Sequence, residues 1–231
     1  MIYHNEVLDA LSGVRDPELD EPITDLDFVS ALEIEGANVL VRLRLPTYFC
    51  APNFAYLMVA DAHAAALSVP GVERARIFLD DHYASDEING GVNERQGFDG
   101  AFPGETEGPD LEGLRTTFQR KSFVSRQEQL CRSLRAVGHT SEELARMRLE
   151  DLPPSEEFET YLERRAELGL DVSAEAPLIV DPDGNRVPEE AVVQHLRFAK
   201  TVRVSIEGNA SLCRGLLSAR YGIPQREEKT A

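Results

Sequence analysis

The chain has 231 residues, a mass of 25.7 kDa and a net charge of −17, with 42% hydrophobic and 28% charged residues. That is sequence enough for one or two domains with real cores, and it excludes wholesale disorder. So acidic a surface repels phosphate backbones and anionic lipid, so nucleic acid and membrane are poor partners; no run of 18 apolar residues offers a bilayer span.

The acidity is uneven: residues 1–90 carry 5 basic and 16 acidic side chains, net −11. Three widely spaced cysteines make no disulfide framework, and Met1 to Glu6 lack the basic and apolar blocks of a signal peptide. A reducing cytoplasm is the expected location.

In chain order, Val7, Leu8 and Leu11 share one face of a helix over residues 3–13. Asp16-Pro17-Glu18 is a turn that blocks further helix. Phe28, Ala31 or Leu32, and Ile34 mark an imperfect strand, and Gly36-Ala37-Asn38 a hairpin connection. Val39, Val41, Leu43 and Leu45 then alternate with Leu40, Arg42 and Arg44 as a clear strand that Pro46 ends. Residues 53–68 keep helical spacing, Pro70-Gly71 is a turn, and residues 72–79 alternate as a third strand. The expected fold class is therefore α+β: a small helix-strand-strand-helix-strand domain over residues 1–88, followed by a mostly α-helical domain. Six glycines with Pro103 and Pro109 mark residues 89–109 as a Gly-rich linker or lid loop.

Residues 110–231 read as a helical extension. Leu111, Leu114, Phe118, Leu130, Leu134 and Val137 suggest a long helix, Thr140 with Glu143 a capping box, and Ser155 the start of another helix. Leu178-Ile179-Val180 reads as a short strand, and Pro188 opens a helix to about residue 200. The alternation of Val202, Val204 and Ile206 allows a strand there, before a last helix capped by Asn209 and ending at Gly222 to Pro224.

The most informative stretch is Pro46-Thr47-Tyr48-Phe49-Cys50-Ala51-Pro52. Cys50 falls between the end of a strand and the start of a helix, where a thiolate, either a nucleophile or a soft metal ligand, is favoured. Asp16, Glu18, Asp20, Glu21, Asp25 and Asp27 form an acidic run whose oxygens suit hard cations, though the spacing fits no calcium loop. Asp16 and Asp25 can also orient backbone near Cys50. His82, at the end of the third strand, is a candidate metal ligand or base for Cys50. Cys131 and Cys213 read singly as core cysteines, although convergence with Cys50 on one metal stays open. Walker, GxGxxG, HExxH, GxSxG and CxxC motifs are all missing.

Val14-Arg15-Asp16-Pro17-Glu18 with Ile23-Thr24-Asp25-Leu26-Asp27-Phe28-Val29 resembles the "DPE … I-x-DLG-V" opening of the SufT/PaaD-like domain, a family of iron–sulfur or metal–sulfur cluster assembly proteins. Pro46 to Cys50 is similar to the "PTY-x-x-C-P" motif of its PaaD-like branch, and Pro70-Gly71-Val72 to its "PGV" turn. Asp27 stands where relatives have glycine, Cys50 comes one residue early, and His82-Tyr83 replaces a proline–tryptophan segment. The resemblance covers about a third of the chain and leaves the extension unmatched. It implies an accessory factor in iron or iron–sulfur cofactor assembly, maturing a client apoprotein such as a bacterial multicomponent oxygenase. Cys50 is then the transient iron or cluster thiolate, with Thr47, Asp16 and Asp25 beside it and His82 as a further metal ligand. The extension is the expected client-recognition module. Alternatives are a metal-free adaptor or chaperone, and a thiol enzyme with Cys50 as nucleophile and His82 as base. A homodimer is plausible from the exposed strand edges of so small a sheet.

Overall fold

The computed structural model describes residues 1–104 and 111–223. It confirms the α+β class. The order is α1 (His4–Ser12), β1 (Arg15–Asp16), β2 (Glu21–Pro22), β3 (Val29–Glu35), β4 (Asn38–Arg44), α2 (Pro52–Ser68) and β5 (Arg74–Asp80). Then come α3 (Ser85–Asn93), α4 (Gly97–Ala101), α5 (Leu111–Ala136), α6 (Ser141–Arg146), α7 (Glu156–Glu167) and α8 (Val192–Tyr221). The chain forms two compact units, Met1–Leu111 with Asn209–Ala231, and Glu112–Gly208.

In the first unit β1 and β2 make a small ribbon, and β3-β4-β5 a separate sheet. β3 and β4 are an antiparallel hairpin, whereas β4 and β5 run parallel, joined through α2. Period-two patterning decides the faces: Val39, Val41 and Leu43 with Ala75, Ile77 and Leu79 are buried, while Arg42, Arg74 and Arg76 are exposed. Val7 and Leu11 of α1 and Met58, Val59, Ala62 and Ala66 of α2 complete that core.

The expected linker over 89–109 is instead largely helical, with 105–109 outside the described residues. Its asparagines explain why. Asn89 accepts from Leu79 N (2.8 Å) and donates to Leu79 O (3.1 Å); Asn93, one helical turn on, does the same for Ile77 (3.0 and 2.7 Å). Two side-chain amides thus stand in for a fourth strand along the β5 edge, which needs partners for its backbone groups. Glycine at 91 is required by the α3–α4 crossing, because a Cβ there would lie 2.5 Å from Ala101 Cβ.

The second unit has its own core, including Phe123, Leu130, Leu144, Tyr161, Leu178 and Val192. The expected strand at 178–180 is absent; only single bridges form, Arg148 with Pro177 and Val180 with Arg186. Side chains satisfy this segment's carbonyls instead. Tyr161 donates to Leu178 O (2.7 Å), Gln127 to Val180 O (3.1 Å) and Arg165 to Pro177 O (2.8 Å). Residues 202–206 are not a strand, and no break precedes Asn209: α8 runs unbroken to Tyr221. Arg203 holds it helical by bonding Glu207 one turn on (2.6 Å) and the buried Glu128 of α5. The last turns of α8, from Asn209, belong to the first unit.

Candidate functional site

Because β4 and β5 are parallel, their C-terminal ends emerge side by side, the place where α/β sheets collect functional groups. Two loops leave there. One carries Thr47-Tyr48-Phe49-Cys50 into α2; the other carries Asp81-His82-Tyr83 into α3. They are tied together, Tyr83 N donating to Tyr48 O at 3.1 Å.

Cys50 is half-buried, immediately before the Ala51 N-cap, with Pro52 opening α2. Its Sγ lies 3.3 Å from Thr47 Oγ1, which also accepts from Phe49 N at 3.2 Å. A hydroxyl has one donor and two acceptor positions, so Thr47 can accept from Phe49 N and still share a hydrogen bond with the Cys50 sulfur, in either direction.

His82 is 3% exposed and bonded through both nitrogens. Nδ1 accepts from Ala84 N (3.2 Å), so the proton is assigned to Nε2, which donates to the backbone oxygen of Cys50 (2.8 Å). Burial holds its pKa below the usual imidazole value. In this geometry neither nitrogen offers a lone pair to the Cys50 sulfur or to a metal. His82 holds the cysteine's backbone rather than its sulfur, an arrangement that does not support the thiol-enzyme alternative.

Asp16 is 9% exposed, and its Oδ1 accepts from Glu18 N (2.8 Å) and Leu19 N (3.0 Å). Desolvation raises its pKa to about 6 despite those bonds. Asp25 is exposed and accepts a long bond from Thr24 Oγ1 (3.5 Å). Asp27 takes the left-handed conformation at φ 57°, where aspartate is better tolerated than most residues.

Of the other cysteines, Cys131 is buried in the second unit's core, its thiol pushed up to about 12 by burial. Cys213, on the part of α8 that belongs to the first unit, packs against the same core as Cys50. Burial first, then the charges of Asp16, Cys50 and Glu18, push its thiol up to about 12 as well. The same helix end fastens the strand-end loops: Arg220 donates to Leu45 O (3.2 Å) and Asp81 O (2.6 Å), and Tyr221 OH bonds Asp81 Oδ2 (3.3 Å). Asn209 bonds Glu18 (3.2 Å), and Arg214 pairs with Glu21. Among the described residues no three His, Cys, Asp or Glu side chains form a metal-holding group.

A feature missed in the sequence flanks Cys50. Tyr48, Phe49 and Tyr83 are 47, 76 and 48% exposed and contact one another, with ring centroids 5.0 to 6.4 Å apart. The available signal was two successive aromatics in a short loop bracketed by Pro46 and Pro52.

Residues 4–77 match the model of a family described as iron-sulfur cluster assembly protein. That segment takes in the cysteine loop and most of β5, and the match supports a role in iron–sulfur cluster assembly. An uncharacterized protein of Methanocaldococcus jannaschii is 27% identical over 97 residues, 42% of this chain and 100% of the relative. No solved structure matches the chain. No helix among the described residues is long and apolar enough to cross a membrane.

Proposed function

We propose that the chain is a cytoplasmic accessory factor that takes iron or an iron–sulfur cluster as cargo and passes it to a client apoprotein, with Cys50 as the transient ligand. The observation that carries this reading is the half-buried Cys50, its sulfur beside a hydroxyl, at the joined ends of two parallel strands, inside the segment that matches the cluster-assembly family. A soft thiolate suits iron and sulfide cargo. One protein sulfur with few neighbouring ligands suits release, since transfer requires that the client's ligands outcompete the carrier's.

Thr47 supports the sulfur, and Asp16, buried near Cys213, is the local proton-binding group. The exposed rings of Tyr48, Phe49 and Tyr83 give a client an apolar foothold beside the cargo, of the aromatic kind enriched at binding hot spots. Client recognition is assigned to the extension over 110–231, of which Glu112–Gly208 is a compact unit by itself. The PaaD-like sequence pattern makes a multicomponent oxygenase the favoured client.

Anaerobic incubation with ferrous iron and sulfide, then desalting and metal analysis, tests the reading. Wild type retains iron and gains visible absorbance, and Cys50→Ala does not. Equal retention by both proteins, or by neither, overturns the carrier role.

A further inference from the structure

Residues 1–90 hold five basic side chains against sixteen acidic ones, yet four of the five, Arg42, Arg44, Arg74 and Arg76, fall on one face of the β3-β4-β5 sheet. The pairing register sorts this face into rows. Glu35, Asn38 and Arg74 lie abreast across β3, β4 and β5; Glu33, Leu40 and Arg76 form the next row. Each row reads acid, neutral, base. Glu33, Glu35, Arg74 and Arg76 are exposed, and none has an ion-pair partner among the described residues. The two rows border an open depression of about 320 Å³.

We propose that this sheet face binds a second copy of the chain, face to face, about a two-fold axis running along β4. Such an axis keeps each row level and exchanges β3 with β5. Glu35 of one copy then meets Arg74 of the other, Glu33 meets Arg76, and Leu40 meets Leu40. An interface built on a two-fold axis must be self-complementary, and this face satisfies that requirement row by row. In the next row Ala31 meets Phe78, and Arg42, on the axis, is already neutralised by Asp80 at 2.8 Å. Pairing along the β5 edge is closed to the second copy, because Asn89 and Asn93 cover it.

Three strands about 4.8 Å apart and seven residues long offer roughly 300 Å² per copy, well below the roughly 800 Å² per partner of a stable complex. The dimer is therefore a fast-exchanging one, and charge pairing sets its orientation more than its strength.

Sedimentation velocity over a wide concentration range, at physiological salt so that the chains' overall charge is screened, tests the proposal. Wild type shows reversible dimerisation. Glu33→Arg/Glu35→Arg and Arg74→Glu/Arg76→Glu, all surface changes checked for folding by circular dichroism, each dimerise at least about tenfold more weakly, because like charges now face each other. Mixing the two variants restores association as a heterodimer, and combining all four substitutions in one chain restores the homodimer. A wild type that stays monomeric overturns the proposal; so do double variants that dimerise like wild type, or a mixture that does not associate.

Discussion

His82 Nε2 donates a hydrogen bond to the backbone oxygen of Cys50 across 32 residues of sequence, at 2.8 Å. The bond joins the loop after β5 to the loop after β4 and fixes where the cysteine's backbone lies while leaving its sulfur to Thr47. Replacing His82 with Ala removes this bond and the one from Ala84 N, a loss of about 2–3 kcal/mol measured by chemical denaturation. Alkylation of Cys50 persists in that variant; if it vanishes, His82 is acting on sulfur as a base.

The same residue sets a pH dependence. Its folded pKa lies below the unfolded value of 6.5, so the folded chain binds fewer protons just below that pH. Its contribution is fully present above about 6.5 and is lost as pH falls through the lowered folded value. Nitrogen NMR of the imidazole at neutral pH shows a neutral ring protonated at Nε2; a ring protonated at Nδ1 contradicts the assignment.

Asp16 works in the opposite sense. Its pKa rises from 3.8 to about 6 on folding, so the folded chain holds a proton that the unfolded chain releases. Its share of stability is full below about 3.8 and falls by about 3 kcal/mol as pH rises to 6 and just beyond. Asp16→Asn keeps an oxygen for Glu18 N and Leu19 N and has no such loss. Denaturation of the two proteins between pH 4 and 7 checks this, and parallel pH profiles contradict it.

The asparagine pair on α3 gives a local prediction. Asn89→Ala and Asn93→Ala each cost about 1–3 kcal/mol, since each leaves an N–H and a C=O of β5 without a partner. Amide hydrogen exchange accelerates at Leu79 in the first variant and at Ile77 in the second. Unchanged protection at both contradicts the strand-substitute role.

Those asparagines also show where reading the sequence stops. Strands β4 and β5 and helix α2 were legible because each pattern is one face of one element against one core. The helices at 85–101 were not, because glycine count argued for a loop while the stabilising bonds run from Asn89 and Asn93 to a strand completed before either is reached. The alternation at Val202, Val204 and Ile206 misled for the same reason: Arg203 is held by Glu128, 75 residues away, and by Glu207 within one turn. At the site, the position of Cys50 between strand and helix was readable, as was the Thr47 motif. That both His82 nitrogens face backbone was not, because their partners, Cys50 O and Ala84 N, are main-chain atoms that no residue pattern announces.

The three thiols separate by environment. Cys131 and Cys213 are both pushed up to about 12, and Cys50 alone sits in an open loop beside a hydroxyl. A mild alkylating agent near pH 8 therefore labels one thiol per chain, at Cys50.

Protection of that label is the most direct test of cargo binding. The native protein is alkylated anaerobically with and without ferrous iron and sulfide, and Cys50 is read by peptide mass spectrometry. If Cys50 holds the cargo, its labelling falls sharply on loading while Cys131 and Cys213 stay unlabelled in both samples. Equal labelling of Cys50 with and without iron and sulfide contradicts the assignment.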